Sequence, residues 1–147
     1  MKHKRLTVGT LVGAVALVGM ATIATPASAA TSGKLKDVST GYCLDGNGTS
    51  AYVGTCNGST FQNWTMTAVS GGYTLKNGTG NCLDTNTTPS IYMGKCNGGN
   101  FQVWKVIGTS SGYRFQDLAT SNCLDTNATP RLYVDGCNTG NYQRWSR

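Results

Sequence analysis

Two hydrophobic patterns divide the chain. An almost unbroken apolar run from Leu6 to about Ala24 follows the basic opening MKHKR and ends at the small residues of TPASAA. Beyond it no stretch has the spacing of an amphipathic helix. Apolar and polar residues alternate over short runs instead, separated by Gly, Asn, Ser, Thr or Pro. That pattern predicts short β-strands joined by turns. Between residues 71 and 110 the strands fall at Leu75–Asn77, Cys82–Asp84, Ile91–Cys96 and Phe101–Ile107.

The same pattern is written three times. CNGSTFQNW, CNGGNFQVW and CNTGNYQRW begin at Cys56, Cys96 and Cys137, and Trp64, Trp104 and Trp145 are separated by 40 and then 41 residues. A period of that length marks a repeat architecture, here with units at about 33–70, 71–110 and 111–147. Four strands per unit give an all-β domain of about twelve strands. Propellers of such units normally have four or more blades, so three copies closing a small barrel on a shared axis is the better solution. Strand alternation puts Val53, Met93 and Val134 on one face and Tyr52, Tyr92 and Tyr133 on the other. Trp64, Trp104 and Trp145 are expected inside with Leu44, Leu83 and Leu124. Gln62, Gln102 and Gln143, two positions before each Trp, are expected to face inward and hydrogen-bond the backbone.

Composition narrows the function. Basic start, apolar run and Ala27/Ala29 before a cleavage point read as a secretory signal over residues 1–30, leaving a domain at 31–147 in a secreted, extracellular protein without membrane insertion. The exported part keeps nine Lys and Arg against six Asp, too mild and scattered a charge for nucleic acid. The single histidine, His3, leaves with the signal and the chain has no glutamate, so the commonest metal ligand and general bases are gone. No cofactor or metal is expected, nor an enzyme: Asp45, Asp84 and Asp125 are held apart by the threefold repeat, and a pairing of Asp125 with Asp135 is not expected. Six cysteines in an exported chain read as disulfides. Their spacings of 13, 14 and 14 favour Cys43–Cys56, Cys82–Cys96 and Cys123–Cys137. Sequons at Asn47, Asn57, Asn77 and Asn127 reflect abundant Asn and Thr, and no glycosylation is expected there.

Three copies of Q-x-W, each about twenty residues after Cys-Leu-Asp, resemble the ricin B-chain-like β-trefoil lectins over the whole exported part. LDTN, IYMGKCNGGNFQVW and LYVDGCNTGNYQRW look most like the actinohivin-type branch, whose members bind mannose-rich glycans. The resemblance implies a β-trefoil and a sugar pocket in each repeat. Asp45, Asp84 or Asp125 would accept hydrogen bonds from sugar hydroxyls. Asn57, Asn97 or Asn138 would add an amide donor and acceptor. Tyr52, Tyr92 or Tyr133 would form a flat wall, and Phe61, Phe101 or Tyr142 would close the other side. That set suits a hexose independently, because its hydroxyls donate and accept while its C–H face is apolar.

The copies depart from the family unevenly. Relatives carry leucine where this chain has Gly54, Gly94 and Asp135, and only Tyr142 keeps a hydroxyl among the closing rings. The first repeat is one residue shorter between its Asp and Tyr. The third pocket therefore ranks first and the first last. The expected partners are glycans or polysaccharide, including cell-surface glycoprotein, bound by a monomer. Weighed against mannose is a galactoside or xylan. Weighed against a lectin is a protein-binding trefoil, such as a protease inhibitor or adhesin, and each Asp then merely forms a turn.

Overall fold

The structure, a computed structural model, describes residues 30–147; the expected signal lies, apart from Ala30, outside them. Thirteen strands form: β1 (Thr31–Gly33), β2 (Lys36–Asp37), β3 (Cys43–Asn47), β4 (Ser50–Gly54), β5 (Trp64–Val69), β6 (Gly72–Lys76), β7 (Asn81–Thr85), β8 (Ile91–Lys95), β9 (Trp104–Thr109), β10 (Gly112–Asp117), β11 (Asn122–Asp125), β12 (Tyr133–Gly136) and β13 (Trp145–Ser146). The expected strand Phe101–Ile107 begins later than its sequence suggested. Phe101 and Gln102 belong to a single 3-10 turn, Asn100–Gln102, and the strand starts at Trp104. Thr60–Gln62 and Asn141–Gln143 repeat that turn.

Pairing closes a barrel. β5 pairs with β6, β6 with β9, β9 with β10, and β10 with β13. The ring is completed by two consecutive short strands: β2 pairs with β13 and β1 with β5. Within each repeat a further hairpin, β3–β4, β7–β8 or β11–β12, branches from this ring. Six barrel strands, counting β1 and β2 as one, with three such hairpins make a β-trefoil.

Its core obeys the same symmetry. Trp64, Trp104 and Trp145 are fully buried, as are Leu44, Leu83 and Leu124, and Leu35, Leu75 and Phe115 add another threefold set. Val53, Met93 and Val134 are buried, as alternation required. Each indole N–H donates to the carbonyl of the leucine in its own repeat, Leu44, Leu83 or Leu124, at 2.9, 3.3 and 3.2 Å. The large rings are thus buried without an unsatisfied donor. At the barrel mouth strands come too close for side chains: a Cβ on Gly72 would lie 2.3 Å from the Trp104 carbonyl oxygen. All three expected disulfides form, each inside its own repeat. Closing a loop of 13 or 14 residues stabilises the fold by about 3 kcal/mol in the chain-entropy model.

Candidate functional site

Each repeat builds the same outward-facing group. The aspartate stands directly across the hairpin from the tyrosine: Asp45 opposite Tyr52, Asp84 opposite Tyr92, Asp125 opposite Tyr133. Cross-strand partners project to one face, so carboxylate and ring are neighbours by register. The second ring, Phe61, Phe101 or Tyr142, comes from the 3-10 turn and is immediately followed by the buried glutamine. Tyr52, Phe61 and Tyr142 are each more than a third exposed.

The glutamine holds the group together. Gln62, Gln102 and Gln143 are fully buried. Each Nε2 donates to the aspartate Oδ2, at 2.8, 2.7 and 2.8 Å, and also to the carbonyl of Thr55, Lys95 or Gly136. Each Oε1 accepts the backbone N–H of Asn57, Asn97 or Asn138 at 2.8, 2.9 and 2.8 Å. The expected backbone bonds exist, but the aspartate contact was missed. Its signal was available in the strict recurrence of Gln with Asp.

The asparagine also has a role within the fold. Its Oδ1 accepts the N–H two residues on, from Ser59, Gly99 or Gly140, and so shapes the entry to the 3-10 turn. That bond uses one of the amide oxygen's two acceptor positions, and in the first repeat Nδ2 donates to the Thr55 carbonyl at 3.5 Å.

The three groups then diverge. Tyr92 and Tyr133 donate their hydroxyls to the carbonyls of Thr85 and Thr126, at 3.1 and 2.9 Å. The corresponding carbonyl in the first repeat, Gly46, already accepts Nδ2 of Asn77 at 2.7 Å. Tyr52 donates to no such carbonyl, and Asp45 Oδ1 is enclosed without a hydrogen bond. Burial, and next the adjacent aspartate's charge, hold all three tyrosine hydroxyls above their ordinary range.

Position 54, 94 or 135 separates the groups further. A Cβ on Gly54 would meet nothing within 4 Å, whereas one on Gly94 would lie 2.7 Å from Asp84 Oδ2. Asp135 places a second carboxylate on the face of Asp125. Asp125 is held above the ordinary carboxylate range, first by burial and also by the charge of Asp135, while the bond from Gln143 opposes the shift. The cause is register: Cys123 opposes Asp135 and Asp125 opposes Tyr133, so both acids project from the same side of the hairpin. Tyr133 also borders a cleft of about 240 Å³ with Pro89, Ile91 and Arg131.

Among the described residues no three His, Cys, Asp or Glu side chains group as a metal site, and no helix is long and apolar enough to cross a membrane. A threefold β-trefoil bearing a carboxylate, an amide and rings on each outer hairpin is the architecture of a carbohydrate-binding module. The chain belongs to the ricin-type β-trefoil lectin domain family, whose model matches residues 31–145. No curated protein matches it in sequence. Among solved structures it is similar to a designed threefold-symmetric protein, ThreeFoil, at 19% identity and a TM-score of 0.71 over 78% of this chain and 96% of that one. SeviL bound to asialo-GM1 saccharide matches at 15% identity and 0.67, over 80% and 96%. An exo-β-1,3-galactanase from Clostridium thermocellum, 1,3Gal43A, matches at 23% and 0.69 over 77% of this chain, which spans only 29% of the galactanase. These likenesses establish the fold.

Proposed function

We propose that residues 31–147 act as a secreted lectin that binds mannose-rich glycans through up to three weak pockets, after removal of residues 1–30. The observation that carries the reading is the threefold recurrence of one construction: a buried glutamine fixing an aspartate on one side and an asparagine on the other, with rings flanking them. A turn-forming aspartate needs no such support. In each pocket the carboxylate accepts from sugar hydroxyls, Nδ2 of the asparagine donates, and the rings pack on the C–H face.

A site open to solvent on this scale binds one or two sugar rings with a Kd near about 1 mM, or about −4 kcal/mol. Engaging a branched glycan at several pockets raises the avidity by about 10² to 10⁴. The third and second pockets lead, because Tyr133 and Tyr92 are anchored through their hydroxyls where Tyr52 is not.

A galactoside is the rival ligand, supported by the likeness to the galactanase and to SeviL with its bound asialo-GM1 saccharide. A glycan array decides: mannose-rich glycans are expected to bind, binding confined to galactosides overturns the mannose assignment, and silence toward every saccharide overturns the lectin. Valency is tested with Asp84→Asn and Asp125→Asn, which keep an acceptor for the glutamine. Each alone is expected to weaken binding to a branched glycan about tenfold, and the pair far more. One substitution abolishing all binding while the other changes nothing refutes multivalency.

A further inference from the structure

The pseudo-threefold symmetry breaks at one mouth of the barrel. Tyr73 stands opposite Trp104 and Tyr113 opposite Trp145, but the residue opposite Trp64 is Gly33. Two positions beyond each Trp the chain carries Met66, Val106 and then Arg147. The mouth thus has two tyrosines and a gap, and two apolar side chains and a guanidinium. With Thr31 they line a cavity of about 260 Å³ that contains no carboxylate side chain. Tyr113 remains 41% exposed in it.

Arg147 is oriented rather than free. Its Nη1 donates to Thr31 Oγ1 at 2.7 Å. Its Nη2 and Nε lie 3.5 and 4.0 Å from where a Cβ of Gly33 would be, so the guanidinium covers the gap left by the missing ring. Among the described residues Nε and Nη2 take no partner, which leaves the paired N–H edge that matches a carboxylate.

We infer that this mouth is a second ligand site, distinct from the sugar pockets, for a flat apolar ring bearing one carboxylate. The tyrosines, Met66 and Val106 supply walls for the ring, and Arg147 supplies the charge. A neutral sugar is the wrong occupant, because the lining lacks the carboxylate and amide that sort its hydroxyls. The cavity shares no residue with the three pockets, so the inference stands or falls apart from the lectin assignment.

The test titrates the full exported chain with benzoate and, separately, with benzamide, which has the same shape and no charge. Signals of the Met66 methyl and of the Tyr73 and Tyr113 rings are followed by NMR. Benzoate is expected to shift them saturably, and benzamide to bind at least about tenfold more weakly. Arg147→Gln is expected to weaken benzoate by at least about tenfold, with Arg147→Lys intermediate because it keeps charge but loses the fork. Gly33→Tyr is expected to remove binding by filling the gap; its Cβ meets only the movable tip of Arg147. Unchanged Tyr142 signals verify that each variant is folded. No saturable shift, equal binding of benzamide, or benzoate binding that Arg147→Gln leaves intact overturns the site.

Discussion

Replacing Gln102 with alanine removes one side chain and unsatisfies three groups. Nε2 reaches Asp84 Oδ2 at 2.7 Å and the Lys95 carbonyl at 2.8 Å, and Oε1 accepts the Asn97 N–H at 2.9 Å. Gln102 is fully buried and Asp84 only 5% exposed, so water does not freely replace what is lost. A bond to a charged group contributes about 1.5–3 kcal/mol and each neutral one about 1 kcal/mol. The sum is about 4 kcal/mol, a large share of the 5–15 kcal/mol or so that holds a domain folded. With a urea slope of about 2 kcal/mol per molar, the midpoint falls by about 2 M. Tryptophan fluorescence with disulfides intact reads it directly. Gln102→Glu preserves the shape but sets two carboxylates against each other. Their folded pKa then rises above the unfolded value, so this variant gains stability as pH falls from 7 toward 4, relative to Gln102→Ala. A midpoint loss below about 0.5 M for Gln102→Ala, with no such pH response in Gln102→Glu, refutes the assignment of Gln102 as the tie.

Ser121 has a positive φ of 62°, where its repeat equivalents are Gly41 and Gly80. Ser121→Gly is therefore expected to stabilise by about 0.5–1 kcal/mol, the relief of about 1–2 kcal/mol exceeding glycine's entropic cost, as measured by urea midpoint. Asp37 is held above its ordinary pKa by burial, against hydrogen bonds from the Thr40 N–H and hydroxyl. Because the folded pKa exceeds the unfolded one, its contribution to stability is lost as pH rises through the folded value. Asp37→Asn, which copies Asn77, is expected to raise the midpoint at pH 7, with the gain vanishing by about pH 3. Gly46→Thr is expected to destabilise by about 2 kcal/mol or more, since its Cβ would sit 2.6 Å from Met93 Sδ. Finally, sugar binding by a variant retaining only the third pocket, Asp45→Asn with Asp84→Asn, is expected to fall with acidification at a pH above the ordinary aspartate value of about 3.9. Burial and then Asp135 raise Asp125, so adding Asp135→Gly moves that loss to lower pH.

Sequence made the barrel legible because three copies must share one interior. Trp64, Trp104 and Trp145 meet the leucines of their own repeats under one geometry, so period and alternation alone located them. The cysteine pairing followed from spacing for the same reason. The 3-10 turn before each Trp was read as strand because Phe-Gln-x-Trp also fits a period of two over so few residues. The Asp–Gln contact crosses 17 or 18 residues and leaves no local periodic trace. That Asp135 shares a face with Asp125 was not legible, because it depends on hairpin register, which the turn between them sets.

The pockets differ where repeats touch one another. The residue after each pocket aspartate, Gly46, Thr85 or Thr126, packs toward the following repeat. For Gly46 the neighbours are Met93 and Asn77; the equivalent pairs are Val134 with Asp117 and Val53 with Asp37. A large side chain and an amide thus accompany glycine, while smaller valines and acids accompany threonine. Asn77 completes the exchange by donating to the carbonyls of Gly46 and Phe61, the former being the counterpart of the carbonyls that accept from Tyr92 and Tyr133. The first hairpin is thus tied to a residue of the second repeat. Core positions are held by three-way closure, but each pocket depends on one neighbour, so a pocket can diverge alone while the barrel stays threefold.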